Sequence, residues 1–194
     1  MLDNFPNTMD RVEYQITFMT FFIGLGVADL FISIIRLLKN RERVTWHWLP
    51  LAWSVIAFLG LIIGWMAYHS MFQEDFTATG PGFLLAILPA IFIFAFTVSV
   101  LPHDIPPEGI DLKVYYFRQH RLIFSLYFLD MTTRTLTQVF LLDPMPVQFW
   151  IVAGLIQVLI FVMIFTKNYR YHVLATAVLF FFVLTFFLGS RFAN

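Results

Sequence analysis

An acid and a base stand four residues apart in the stretch "RLIFSLYFLDMTTRTLTQVFLLDP", residues 121–144, which is otherwise apolar enough to cross a bilayer. On a helix that spacing brings the Asp130 carboxylate and the Arg134 guanidinium onto one face, which Tyr127, Thr137 and Gln138 share. A second polar stripe, Asp29, Ser33 and Arg36, recurs at i, i+4 and i+7 in the first apolar run. Such groups can hold a proton, a cation or the ionic part of a small solute. The aspartates supply negative charge, Arg134 sets their charge state or meets an anionic group, and the neutral residues supply hydrogen bonds. Gln157, farther along the chain, is expected to line the same cavity. A charge deep in hydrocarbon costs about 2.5 kcal/mol or more, so both stripes are expected to turn away from lipid.

Counting along the helices gives the two acids a common depth. Asp130 lies eight residues into a span expected to begin at residue 122, about 12 Å at helical rise, and Asp29 lies nine residues from the matching end of the first span. A polar centre built by helices 1 and 4 is the expectation. The rival reading is structural: a buried Asp/Arg network that only fixes helix packing.

Other chemistry is excluded or weakly supported. There is no cysteine, hence no disulfide, thiolate nucleophile or iron–sulfur ligation. Lys39, Lys113 and Lys167 all lie in or beside connections, so none is placed in mid-helix to carry a retinal aldehyde. "FIGLG" lacks the strand and the Lys-Ser or Lys-Thr of a phosphate loop. Net charge is zero and no basic run is interleaved with aromatics, which excludes a nucleic-acid footprint. His47, His120 and His172 fall near helix ends on one side and are the weak candidates for a metal, without any short ligand motif. No cofactor is assigned.

The elements that must position these residues are helices. With 60% hydrophobic and 12% charged residues over 194 positions, the chain has too little charge for a water-facing surface. Six apolar runs, at 14–38, 46–68, 83–101, 122–142, 147–166 and 171–189, each have about the 20 residues that a hydrocarbon core requires. The fold class expected is all-α: a single polytopic membrane domain, a six-transmembrane-helix bundle, with a connection at 102–121 whose residues 112–121 form a short interfacial helix. Pro89 predicts a kink in helix 3, and Gly60 and Gly64 a site of close packing on helix 2.

Basic residues set the orientation. Arg36, Lys39, Arg41, Arg43, Lys113, Arg118, Arg121, Lys167 and Arg170 flank the odd-numbered connections, against Arg11 and Arg191 near the two ends. The positive-inside rule then makes those connections cytoplasmic and both termini extracytoplasmic, N-out/C-out, in a bacterial inner membrane. An offset of 101 residues carries Asp29 onto Asp130 and Tyr14 onto Tyr115, as an inverted repeat of two three-helix halves would.

The function expected is a small inner-membrane transporter or channel-like protein, with membrane lipids and an ion or small solute as partners. The alternatives are an accessory subunit, paired with itself as a homodimer or with another membrane protein through helix 2 or the 102–121 connection, and an intramembrane lipid- or metal-dependent enzyme.

Overall fold

The computed structural model describes residues 11–72, 75–141 and 145–189. They form six long helices, α1 (Arg11–Lys39), α2 (Trp48–Met71), α3 (Gly80–Val100), α4 (Leu112–Leu141), α5 (Val147–Phe165) and α6 (Tyr169–Gly189), with two short strands, β1 (Val44–Thr45) and β2 (Ile110–Asp111). Five of the helices, all except α4, are long and apolar enough to cross a membrane. The fold is all-α, as a polytopic bundle requires. Glu74, Asp143 and residues 190–194 lie outside the described residues, as do residues 1–10.

The fourth helix departs from expectation at its start. The expected interfacial helix is continuous with the span, giving one helix of 30 residues, about 45 Å long. Asp111 is the local cause: its Oδ1 accepts from the backbone N–H of Lys113 at 2.7 Å and of Val114 at 3.0 Å, capping the helix before Leu112. No Gly or Pro follows within α4 to break it. The extra turns at the charged end, together with Asp130 and Arg134, leave α4 less apolar than the rest.

Just before this cap lies a feature the periodicity did not show. β1 and β2 pair in parallel, Val44 with Ile110 and Thr45 with Asp111, tying the α1–α2 connection to the α3–α4 connection. Gly109 makes the approach possible. Its φ is +90°, and a Cβ there would lie 2.5 Å from the Arg43 carbonyl oxygen. The α5–α6 turn joins the same end, where Lys113 Nζ stands 4.7 Å from the Tyr169 ring centroid and the His47 and Tyr169 rings are 5.9 Å apart. The connections bearing most of the basic residues are thereby gathered at one end of the bundle.

Thr79 caps α3, its side chain accepting from Gly82 N–H at 3.1 Å, with proline in the first turn where no N–H is needed. Pro89 is buried in mid-helix and α3 runs through it. Proline cannot donate to the Leu85 carbonyl, and the Thr137 hydroxyl of α4 lies 3.5 Å from that oxygen while donating at 2.8 Å to Thr133 within its own helix.

α3 is the central helix, packed against α1, α2 and α4; α6 packs on α2, and α5 lies along α4. The second three helices do not reproduce the packing of the first, because α6 chooses α2 rather than α4. Trp53 anchors the core, its ring 4.9 Å from Phe124, 5.5 Å from Tyr127 and 6.0 Å from Phe96. Its indole N–H donates to Thr176 Oγ1 at 2.9 Å, holding α6 against α2. On α5 only Ile160 and Met163 are buried, and Val158, Phe161 and Phe165 are exposed apolar side chains suited to lipid.

Candidate functional site

Helix α4 carries the centre of the site because its polar stripe points toward α2 and α3. Asp130 is completely buried. Its Oδ1 accepts from Arg134 Nε at 2.9 Å, a charge-assisted bond between successive turns. Its Oδ2 is equally enclosed and has no hydrogen-bond partner among the described residues. A carboxylate oxygen left so in a low-dielectric wall is expensive, and only a proton, a cation or a donor can relieve it.

Arg134 is the open half of the pair, with its side chain 25% exposed. The guanidinium rests on α2 over Gly64, where an added Cβ would come within 3.2 Å of one terminal nitrogen and 3.4 Å of the other. One turn earlier, Gly60 takes Ile93 of α3 in the same way, at 3.2 Å. The small-residue pair of α2 therefore serves two neighbours: Gly60 admits α3 and Gly64 makes room for the arginine of α4.

Around the pair, Tyr127 is buried beneath Trp53 and Phe96, the Phe96 ring stacking on it at 4.7 Å. Thr133 and Thr137 are buried and spend their hydroxyls on carbonyls one turn back, while Gln138 is half-buried in the next turn outward. Gln157 lies elsewhere than expected. Its Nε2 donates to Thr135 Oγ1 at 2.7 Å, clamping α5 to another flank of α4.

The expected polar centre between helices 1 and 4 is not what brings α1 into the bundle: α1 packs chiefly against α2 and α3, and Asp29 does not meet the Asp130–Arg134 pair. Residue counting gave the two acids a common depth, but Asp29 lies nearer the basic end and turns to the segment after α3, where His103 Nδ1 stands 3.6 Å from its Oδ1. Both partners are partly exposed, His103 by 43% and Asp29 by 27%. Ser33, a turn away, is buried with its Oγ unpartnered among the described residues, and Arg36 is half-buried at the basic end. The adjoining Tyr115 hydroxyl donates to the Ser99 carbonyl at 2.9 Å. Burial raises that phenol to about 12, with Arg118 pulling down and Asp29 pushing up.

No family model, curated protein or solved structure matches this chain.

Among the described residues no three His, Asp or Glu side chains come together to hold a metal. The three histidines named as metal candidates have local duties instead. His172 is buried; its Nε2 lies 2.9 Å from the Thr166 carbonyl, which can only accept, so the proton is assigned to Nε2 and the Tyr116 hydroxyl donates to Nδ1 at 2.9 Å. His120 Nδ1 likewise faces the Phe117 carbonyl at 2.8 Å. His47 Nδ1 accepts from Leu49 N–H at 3.3 Å, completing the start of α2. Burial, then the nearby Lys113, holds the His47 imidazole below its ordinary value, against the opposing pull of Asp111.

Two contributors escaped the sequence reading. His103 had a signal, since it follows helix 3 at the end where Asp29 lies deepest. Gly64 as the seat of Arg134 had none, because its partner is set by how α2 and α4 are rotated.

Proposed function

We propose that this chain is a small membrane transporter or channel-like protein whose binding site is the Asp130–Arg134 pair. The single observation behind this reading is the arrangement of that pair: a fully buried carboxylate with one oxygen committed and one unpartnered, beneath a guanidinium that is partly open. A network that served packing alone would gain from satisfying both oxygens. Intramembrane ionisable groups mark ion and solute paths far more often than they occur by accident.

In this reading all six helices span, α4 included, its low apolarity being that of a helix lining a polar path. The basic end, which gathers three connections, faces the cytoplasm, and both termini are outside. The bundle resides in a bacterial inner membrane, with lipids around α5 as its first partners. Asp130 and Arg134 bind the ion or small solute; Tyr127, Thr137 and Gln138 shape the surroundings; Asp29, Ser33 and Arg36 form a separate polar group nearer the basic end.

A second reading, an accessory subunit whose Asp/Arg pair is a packing lock, is favoured by the complete enclosure of Asp130. Flux separates the two. In proteoliposomes the transport reading expects wild-type protein to dissipate an imposed gradient of protons, inorganic cations or inorganic anions, and Asp130→Asn to change that flux. Flux equal to that of empty vesicles, or flux untouched by Asp130→Asn, sinks it.

A further inference from the structure

The two charges of the pair are not equivalent to an arriving solute. The carboxylate is sealed, and the guanidinium is the group with exposed surface. A cation would therefore meet positive charge first, whereas an anion would meet the open side of the guanidinium, whose Nε is held by Asp130 and whose Nη2 is enclosed. The pair is formally neutral, and placing a lone anion on it leaves a net negative charge in a low-dielectric wall. One proton delivered to the carboxylate restores neutrality, and Asp130 Oδ2 is a buried oxygen with no other bond to give up.

We propose that the site binds one small monovalent inorganic anion together with one proton, the anion on the Arg134 guanidinium and the proton on Asp130 Oδ2, so that the two move as a neutral unit. This rests on the transport reading and names its substrate class. Proton uptake weakens the hold of Asp130 on Arg134 Nε and removes the carboxylate charge that opposes the anion at the guanidinium. On release the carboxylate reclaims the guanidinium and the pair is neutral again. No bond other than O–H is made or broken.

Few other groups near Asp130 can supply the proton. On α4 the titratable neighbours are Arg134 and Tyr127. The sequences of α3 and α5 contain no titratable side chain, and α2 contains only Tyr68 and His69, about one turn beyond Gly64. α2 and α3 meet Tyr127 with Trp53 and Phe96, neither of which ionises.

The test uses the full chain in proteoliposomes holding a trapped pH dye. Inward gradients of chloride, nitrate and dihydrogen phosphate are imposed in turn at fixed membrane potential. At least one of them is expected to acidify the lumen, with proton and anion charge entering in a one-to-one ratio. Asp130→Asn, which resembles the protonated acid, is expected to keep anion entry and lose acidification. Arg134→Gln is expected to lose both, and Arg134→Lys to retain part of the anion entry, which shows that loss in the glutamine variant is not misfolding. His69→Gln is expected to leave the coupling intact. Flux carried by sodium or potassium without acidification overturns this inference and leaves the transport reading standing. Coupling that survives Asp130→Asn but not His69→Gln also overturns it, and absence of any flux overturns both.

Discussion

Asp130 and Asp29 each sit beside a nitrogen base, Asp130 at the middle of the bundle and Asp29 nearer its basic end, and their settings are opposite. Asp130 is sealed and meets Arg134 at 2.9 Å on its own helix, whereas Asp29 is partly exposed and meets His103 at 3.6 Å, between α1 and the segment after α3. The first pair joins a carboxylate to a guanidinium, a planar base that keeps its charge; the second joins one to an imidazole across two separate segments. Burial rather than charge decides which pair matters energetically. An exposed pair exchanges water for a partner of similar worth, while a buried one has no water to fall back on.

The sharpest way to break this comparison is to remove one member of the buried pair. Arg134→Leu leaves a carboxylate without its counter-charge and is expected to cost about 3–5 kcal/mol, read as a lowered midpoint of thermal unfolding in detergent. Asp130→Leu/Arg134→Leu is expected to recover much of that loss, because two apolar side chains leave no charge behind. Next in size is the seat of the guanidinium. Gly64→Leu is expected to cost about 1–3 kcal/mol by displacing Arg134, while Gly64→Ala, which meets only the movable tip of that side chain, should be tolerated. Asp29→Asn and His103→Gln are each expected to cost less than about 1 kcal/mol, and a double-mutant cycle between them should give a coupling no larger than that. A coupling at Asp29–His103 as large as that at Asp130–Arg134 would erase the distinction.

The smallest expected effect lies at the basic end. Folding favours the neutral form of His47, whose Nδ1 accepts from Leu49. A base whose value is lowered on folding destabilises the fold as pH falls through the unfolded value, near 6.5, toward the lowered one. Stability is then greatest above that window and declines below it, and His47→Gln should flatten the decline in unfolding curves taken between neutral and mildly acid pH.

Much of this was legible in the residues. The membrane class followed from composition, the helices from the length of the apolar runs, and the facing of Asp130 and Arg134 from a single i,i+4 spacing. Neither azimuth nor relative height was legible: counting from the ends of the apolar runs gave Asp29 and Asp130 one depth, but how the helices slide and turn depends on packing, which puts α3 against both α1 and α4 and Asp29 nearer the basic end. The helix start at Leu112 was legible as that of a short interfacial helix; its continuity with the span was not, because the charged stretch 113–121 marked a change in composition but holds no Gly or Pro to end a helix. The two-residue strands were too short to carry any pattern. Gln157 has the right residue type for a polar lining, and only its rotation on α5 sends it to Thr135.

The most direct test of the central claim is whether water reaches the pair. The chain has no cysteine, so a single thiol can be introduced without background. In lipid vesicles, Asp130→Asn/Arg134→Cys, in which no buried charge is orphaned, is expected to react with a membrane-impermeant thiol reagent, while the lipid-facing control Val158→Cys is not. Equal silence at both positions would contradict the account and leave the Asp130–Arg134 pair as a lock between helices.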